Sequence, residues 1–324
     1  MADEGYGELV YGEEPYGEEG EGAAAVAAVQ IRRPRIRFLH NNLALAEGAV
    51  WTASTQASGF PVNNLKNRRR RQIWRATTAV SGQWVKVHLG SGSHFVKTVG
   101  VTGFNLIPGA IIHVEASTND ITYTSIIDLV CEAVYPQGVS SGSVGFGEGG
   151  FGEGGFGGGG SLNRFIGRAL IGFFSSRSEP YWRFTFSDVN QSEPYEAGLI
   201  YVGSYFEPTE QIGLNWSLAP IDPTEIEETP IGQTADTEFP VGPYLGLSFG
   251  FPYISQSDVF DSWLPAIRTY RILQRDIFLS LFPDVTNELR TLTNLFGRIV
   301  NRPQVTNLAN RAYSISRIEF EESF

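Results

Sequence analysis

Short stretches in which apolar and polar residues alternate recur along this chain. In the segment Trp84–Leu89, Val85, Val87 and Leu89 would face one side of an extended chain and the intervening side chains the other. Similar stretches follow at short spacing, separated by turn signals such as IPGA and TNDI. They are VKTVGVTGF, IIHVEAS, ITYTSIIDLV, YWRFTF and GLIYVGSYF. Many short strands of this kind predict an antiparallel β-sandwich or jelly roll.

Composition narrows the class of protein. The 324 residues include 42% hydrophobic residues, enough for a sizeable core and, by length, for two domains. The formal charge of −11 argues against a general nucleic-acid binder. No apolar run reaches the ~20 residues that a membrane span needs, and the first residues are acidic where a secretory signal would be basic. We therefore expect a protein made and folded in a reducing, soluble setting.

The residue types that carry most catalysis are scarce. The single cysteine, Cys131, excludes an internal disulfide framework, a cysteine zinc site and an iron–sulfur cluster, and we expect it to be a small buried side chain. There are only four histidines, and His88 and His94 around the LGSGS turn are a weak ligand set for a metal. Glycine and aromatic residues are plentiful, as in β-structure and assembly surfaces. We predict no enzyme, and no catalytic, cofactor or metal site.

An acidic arm precedes the alternating stretches. Residues 1–22 repeat Tyr-Gly-Glu at Tyr6, Tyr11 and Tyr16 and hold eight acidic residues and no basic one. Such a segment buries too little apolar area to offset its chain entropy, so by itself it should be disordered. The basic block IRRPRIRFLH follows after an Ala-rich stretch. The block is either a solvated charge run or a surface on which acidic arms of neighbouring copies lie.

A Gly/Phe-rich insertion, residues 138–163, interrupts the alternating stretches. It spaces Phe146, Phe151 and Phe156 five residues apart in Gly and Glu. Gly-rich sequence usually forms a flexible linker. A passive linker does not need regular aromatic residues, so we expect the insertion to be ordered by packing against another chain.

After Phe206 the sequence becomes rich in proline and in acidic residues. Four prolines between residues 208 and 230, with the acidic EIEE, predict an extended surface segment without regular structure. LGLSFGF, YRILQRDIFLSLF and residues 313–320 are expected strands. Val285–Phe296 is the expected helix, because Asp284 can cap its start and Gly297 stands just after its end.

These features define the predicted organisation. Residues 1–37 form an extended arm and basic linker, residues 38–206 a β-sandwich that contains the insertion, and residues 207–324 a smaller β-rich α+β domain with a helix near 285–296. The predicted fold class is mainly β.

The segment Val50–Phe206 resembles the discoidin domain, also called the coagulation factor 5/8 type C domain. The resemblance lies in FPVNNLKNRRRRQIWRA, QWVKVHLGS, VEASTNDITYTSI and YWRFTF, in that order. It implies an eight-stranded antiparallel jelly roll whose loops at one end commonly bind sugars or lipid headgroups. The departures are the insertion, the run of four arginines and the lack of a cysteine pair that joins the domain ends.

The resemblance also suggests where aromatic side chains could meet a ligand. Phe60 and Phe104 are the loop candidates, whereas Trp51 and Trp74 look like core residues. The alternative is that all four pack internally.

The wider layout looks like tail-associated virion proteins of tailed bacteriophages, in which a discoidin-like sandwich carries an acidic, aromatic, Gly-rich insertion. This implies a structural component of the virion tail, in the hub, tip or fibre-attachment region, made in the host cytoplasm. It would assemble as a symmetric multimer with copies of itself and other tail proteins. The alternatives are a carbohydrate-binding adhesin that recognises host-surface glycan, and a glycan- or peptidoglycan-cleaving enzyme, whose pair of carboxylates the sequence does not identify.

Four consecutive arginines, Arg68, Arg69, Arg70 and Arg71, form the most basic point of the chain. Guanidinium groups pair strongly with phosphate, but one run in an otherwise acidic chain is more often a solvated face or a protein contact. We expect contacts with acidic arms of neighbouring copies rather than with nucleic acid. The predicted contacts between subunits are therefore these arginines together with the three tyrosines of the arm and the three phenylalanines of the insertion.

Overall fold

The computed structural model describes residues 35–68, 72–92, 94–132, 169–188, 190–213, 215–221, 225–228, 234–237, 244–285, 288–309 and 311–323. Residues 34–324 belong to one compact unit. No helix among the described residues is long and apolar enough to cross a membrane.

Eleven strands precede residue 207. They are β1 Arg37–Asn42, β2 Val50–Ala53, β3 Trp74–Arg75, β4 Gln83–His88, β5 Val96–Thr102, β6 Ile111–Ser117, β7 Thr124–Val130, β8 Ala169–Arg177, β9 Tyr181–Ser187, β10 Glu196–Ala197 and β11 Leu199–Phe206. Two 3-10 turns, Leu43–Leu45 and Val62–Lys66, lie between them.

Eight strands and three helical segments are described after residue 207. The strands are β12 Ser217–Ile221, β13 Glu225–Glu228, β14 Thr234–Thr237, β15 Tyr244–Ser255, β16 Ile277–Ser280, β17 Asn294–Ile299, β18 Val305–Ala309 and β19 Ala312–Glu322. A π-helical turn, Asp258–Trp263, runs into helix α1, Leu264–Arg268, and helix α2 is Glu288–Thr293.

The first part of the chain forms a discoidin-like antiparallel β-sandwich. Five strands in the order β2-β4-β9-β6-β7 face three in the order β11-β5-β8. The apolar positions of the alternating stretches fill the space between them: Val85 and Val87 from β4 and Phe184 from β9 are fully buried, as is Val99 from β5. The two-residue period therefore predicts this fold class correctly, because one face of each strand must leave water.

Strand β1 joins the sandwich to the rest of the chain. It pairs with β11 on one side, where Asn42 lies opposite Gly203, and with β16 on the other, where Phe38 lies opposite Leu279. One large sheet thus runs in the order β12-β15-β19-β17-β16-β1-β11-β5-β8. A second hydrophobic core lies on the later strands and includes Trp263 of the helical turn. The division into two domains at residue 206 stays a prediction, since the cores are separate while the sheet is continuous.

The structure corrects three predictions for the second part. The helix expected over Val285–Phe296 is described only over α2, because the residues after it pair with β16 and bury Phe296 against Phe278, 4.8 Å between ring centroids. Of YRILQRDIFLSLF, only β16 is a strand.

The Pro-rich segment is also more regular than expected. β12 pairs with β15, and β13, which is the EIEE sequence, pairs with β14. Pro220 lies in β12 at the end of the large sheet, where a missing N–H donor costs little.

Candidate functional site

The loops that follow β2, β5 and β9 come together at one end of the sandwich, which we call the loop end. The Ala57 N–H donates to the carbonyl of Arg75, 2.8 Å away. The Asn105 side chain accepts a hydrogen bond from the Glu196 N–H at 3.0 Å and donates to the Pro194 carbonyl at 2.8 Å. These bonds cross between loops that are far apart in sequence, so each loop fixes the next.

Phe60, Arg75 and Glu196 form the centre of the loop end. The Arg75 guanidinium carbon lies 4.1 Å from the centroid of the Phe60 ring. Its Nε and Nη2 atoms donate to Glu196 Oε1 at 2.6 and 2.5 Å. All three side chains are partly exposed. A guanidinium held by a carboxylate thus backs one face of an aromatic ring, in the arrangement of a cation–π contact.

Buried residues hold this centre in place. Arg75 follows Trp74, which is fully buried and donates from Nε1 to the carbonyl of Thr55 at 2.9 Å. Glu196 lies directly opposite Arg75 in the short β3–β10 pair. Gly59, with φ of +83°, turns the chain just before Phe60, in a conformation that few other residues adopt easily. A strand pair and a buried tryptophan therefore hold Arg75 and Glu196, while Phe60 follows a turn in the loop after β2.

The other aromatic candidates from the sequence pack in or against the core. Trp51 and Trp74 are buried, as expected. Phe60 and Phe104 are both partly exposed, but Phe104 packs against the core of the sandwich, whereas Phe60 contacts the Arg75 guanidinium. The alternative of internal packing therefore fits the two tryptophans better than Phe60.

The described residues nearest to the insertion on either side lie at the loop end. Cys131, just after β7, donates from its N–H to the carbonyl of Ala110 at 2.8 Å, and Ala169 at the start of β8 lies opposite Thr102 at the end of β5. Phe146, Phe151 and Phe156 themselves lie outside the described residues, as do Tyr6, Tyr11 and Tyr16 of the arm. Their expected roles between subunits stay predictions.

The arginines of the basic block and of the four-arginine run divide into three groups. Arg37 is nearly buried and pairs with Glu207 at 2.5 Å and with Asp284 at 2.9 Å, and Arg35 also reaches Glu207 at 2.9 Å. Both arginines therefore pair with acidic side chains of this chain, while the Arg35 side chain stays 58% exposed. Arg68 is described and lines a narrow cavity. Arg69, Arg70 and Arg71 lie outside the described residues.

The two histidines around the LGSGS turn and the single cysteine contact neighbouring residues of the sandwich. His88 stacks on Tyr181 with 4.4 Å between ring centroids, and His94 Nε2 lies 3.3 Å from the carbonyl oxygen of Gly90. Within the described ranges no group of three or more His, Cys, Asp or Glu side chains could hold a metal ion. Cys131 is buried, and burial raises the pKa of its thiol to about 12.

The ion pairs on the outer face of the five-stranded sheet were not foreseen from the sequence. Lys86 Nζ lies 2.7 Å from Asp120 Oδ2, and Arg183 Nε donates to Glu115 Oε2 at 2.8 Å. The Arg183 guanidinium also covers the ring of Tyr123, 4.0 Å from its centroid. Alternation places Lys86 and Arg183 on the polar face, but their partners depend on strand register, which alternation leaves open.

Comparisons with known proteins find solved structures that match about half of the chain. No protein-family model and no curated protein matches the chain. Among solved structures, chitosan-binding module 1 from a chitosanase/glucanase of Paenibacillus sp. IK-5 matches at 19% identity and a TM-score of 0.35, over 51% of this chain and 100% of that one.

Two further solved structures match a similar share of the chain. Chitosan-binding module 2 of the same Paenibacillus enzyme, in complex with chitotriose, matches at 13% identity and a TM-score of 0.34, over 49% of this chain and 99% of that one. A fucosidase from Ruminococcus gnavus in complex with fucose matches at 15% identity and a TM-score of 0.37, over 52% of this chain and 28% of that one. Carbohydrate-binding modules are thus among the structural neighbours of the chain. At these TM-scores the likeness carries no argument of its own, and the fold rests on the strand order given above.

Proposed function

We propose that the loop end of the sandwich binds carbohydrate without cleaving it. The observation that carries the proposal is the half-exposed ring of Phe60, which is backed by an Arg75 guanidinium that Glu196 holds in place. The apolar C–H face of a sugar ring can stack on an aromatic face, whose electron density is negative. Remaining N–H groups of Arg75 and the second oxygen of Glu196 can bond sugar hydroxyls beside it.

The charges of the site favour a neutral sugar. Arg75 and Glu196 compensate each other at 2.5 Å, so the centre of the loop end offers hydrogen bonds without net charge. A strongly anionic ligand would have to compete with Glu196 for Arg75. An aromatic ring with a few fixed polar groups beside it suits orientation and recognition of a small ligand.

The contacts of Glu196 indicate its role in binding. Its Oε1 atom accepts hydrogen bonds from Nε and Nη2 of Arg75 at 2.6 and 2.5 Å. We therefore assign Glu196 to holding Arg75 and to accepting hydroxyl hydrogen bonds, rather than to cleaving a glycosidic bond.

A glycan array probed with the full chain tests this proposal. Chitotriose and fucose are useful first probes, because they occupy two of the matched structures. Binding of a neutral glycan by the parent, and its loss in Phe60→Ala, would support the proposal. Equal binding by parent and variant would place the glycan elsewhere, and no binding by the parent to any neutral glycan would remove the proposal.

A structural role in a bacteriophage virion is our second proposal. It places the chain in the tail, in contact with its own copies and other tail proteins, and it rests on the Tyr-Gly-Glu arm and the Gly/Phe-rich insertion in the sequence. An adhesin in a virion would combine both proposals.

Native mass spectrometry at several concentrations tests the second proposal. The full chain should form multimers, and a full chain with the eight acidic residues of 1–22 changed to Asn and Gln should remain monomeric at the same concentrations. Monomers of the parent throughout the concentration range would contradict it.

A further inference from the structure

The outer face of the five-stranded sheet carries aromatic side chains on the side away from the core. On the neighbouring strands β4 and β9 the residues of this face are Trp84, Lys86, His88, Tyr181, Arg183 and Thr185. All six are partly exposed and none is aliphatic, whereas Val85, Val87 and Phe184 between them are fully buried. Aromatic rings grouped on an exposed face mark a surface that can bind a partner or a ligand.

Tyr123, Arg183 and Glu115 repeat on this face the arrangement found at the loop end. The Arg183 guanidinium carbon lies 4.0 Å from the centroid of the Tyr123 ring, and its Nε donates to Glu115 Oε2 at 2.8 Å. The corresponding distances at the loop end are 4.1 and 2.6 Å. The sandwich therefore holds a partly exposed ring, backed by a guanidinium that a carboxylate fixes, at two separate places.

A second ring, that of Trp84, is connected to this unit through Lys86 and Asp120. Lys86 Nζ lies 5.8 Å from the centroid of the Trp84 ring and donates to the two Asp120 oxygens at 2.8 and 2.7 Å. The Tyr123 hydroxyl donates to Asp120 as well. Lys86 and Arg183 are thus each matched by one carboxylate, so these groups offer hydrogen bonds and ring faces without net charge.

The turn between β6 and β7, to which Tyr123 belongs, is fixed by its own hydrogen bonds. Ser117 Oγ accepts from the N–H of Asp120 at 3.1 Å, and Asn119 Oδ1 accepts from the N–H of Ile121 at 3.0 Å. Because β6 and β9 are antiparallel, this turn lies at the end of the sandwich opposite the loop end. A ring held in this way loses little freedom when a ligand stacks on it.

We infer that the outer face of the five-stranded sheet binds a second molecule of neutral glycan. Sugar rings stack on Trp84 and Tyr123, and their hydroxyls bond to the Arg183 and Glu115 groups beside these rings. The core of a protein interface is depleted in charged residues, whereas four charged side chains lie at the centre of this face, so a glycan fits it better than a protein partner. The inference takes its ligand class from the proposed function but concerns other residues.

Native mass spectrometry of the full chain tests the inference by counting bound sugars, with the neutral trisaccharides tri-N-acetylchitotriose, cellotriose and maltotriose as probes. We expect the parent to bind two molecules of at least one of them. Phe60→Ala and Tyr123→Ala should each lose one of the two molecules, and the double variant should lose both. Titration calorimetry with the same trisaccharide should give the same stoichiometries.

Tyr253→Ala is the matched control, because Tyr253 is 44% exposed in β15, outside the sandwich, and this variant should keep both molecules. Tyr123→Phe keeps the ring and loses only the hydroxyl bond to Asp120, so it should also keep both. It thus separates stacking from a structural role of that bond. Trp84→Ala removes the other ring and should lose one molecule, and it decides the test if circular dichroism shows Tyr123→Ala to be unfolded.

The same counts separate failure of this inference from failure of the proposed function. Two bound molecules in both Tyr123→Ala and Trp84→Ala would overturn the inference, as would a parent that binds none or only the one molecule lost in Phe60→Ala. If the outer-face variants lose a molecule while Phe60→Ala keeps two, the site at the loop end fails and the inference holds. Multimers of the parent that disappear in Tyr123→Ala would overturn the inference, because a second copy would then cover this face.

Discussion

Arg75 and Phe60 are in contact through the face of the phenylalanine ring, with the guanidinium carbon 4.1 Å from the ring centroid. This contact leaves the ring half-exposed and fixes its orientation, because Arg75 is held in turn by Glu196. A ring with a fixed orientation loses little freedom when a sugar stacks on it. The proposed function therefore depends on Glu196 as well as on Phe60.

Replacing Glu196 with Gln should weaken sugar binding with little effect on stability. The variant keeps the size of the side chain but loses the charge that holds Arg75 at 2.5 Å. We expect affinity to fall by roughly tenfold or less, and the free energy of unfolding by less than about 1 kcal/mol, as for other partly exposed ion pairs. Titration calorimetry with the best glycan and urea unfolding measure the two quantities. Glu47→Gln, at an exposed glutamate, is the control, and an equal loss of affinity there would contradict the assignment.

Cys131 should be unreactive in the native protein. Its side chain is buried, and burial raises the thiol pKa to about 12, so almost no thiolate exists at pH 8. A thiol reagent should label the chain fully in denaturant and only slowly without it. Fast labelling of the native protein at pH 8 would show that the end of β7 opens to solvent.

Changing Gly203 to Ala should destabilise the junction between β1 and β11. A Cβ atom at this position would collide with the backbone carbonyl oxygen of Asn41, which cannot move without disrupting the strand pairing. Overpacking of this kind costs roughly 1 to 3 kcal/mol. Gly48→Ala is the control, because a Cβ atom there meets nothing within 4 Å. Urea unfolding should separate the two variants, and equal stabilities would argue against β1 as the strand that joins the large sheet.

Asp120 should contribute stability that disappears in acid. Hydrogen bonds from Lys86 and then Tyr123 lower its pKa. A carboxyl group whose folded pKa is below its unfolded value of about 3.9 contributes fully above that value and loses its contribution as the pH falls through the folded pKa. Asp120→Asn keeps a residue that tolerates the positive φ of 62°.

The pH dependence of Tm checks this prediction. Parent and Asp120→Asn should differ at pH 6 and converge as the pH falls through the lowered folded pKa of Asp120, since the contribution is lost in acid. The difference should be small, because the pair is partly exposed. A difference that stays constant from pH 6 to pH 2 would contradict the role of the charge.

The strands of the sandwich were predictable because their alternation reflects burial of one face. The segment Trp84–Leu89 shows this most clearly, with Val85 and Val87 fully buried in β4. The helix expected over Val285–Phe296 fails at its end, because β16 offers backbone partners and Phe278 offers a surface for Phe296. Helical spacing describes local preference, and tertiary pairing overrides it here.

The candidate site was only partly predictable. Phe60 was a candidate through the loops that the discoidin resemblance implied, whereas its partners Arg75 and Glu196 were not. These two residues are 121 positions apart, and only the pairing of β3 with β10 brings them together.

Binding of a neutral glycan by Phe60→Ala, compared with the parent, tests the central claim most directly. Titration calorimetry should use the glycan that the array identifies and a control variant, Phe95→Ala, whose ring is 68% exposed in the β4–β5 connection at the other end of the sandwich. Stacking on an aromatic ring is worth about 0.5 to 1.5 kcal/mol beyond area burial, so Phe60→Ala should weaken binding roughly tenfold or more, while Phe95→Ala leaves it unchanged. Unchanged affinity in Phe60→Ala, with circular dichroism showing a folded protein, would contradict the claim that the loop end recognises carbohydrate.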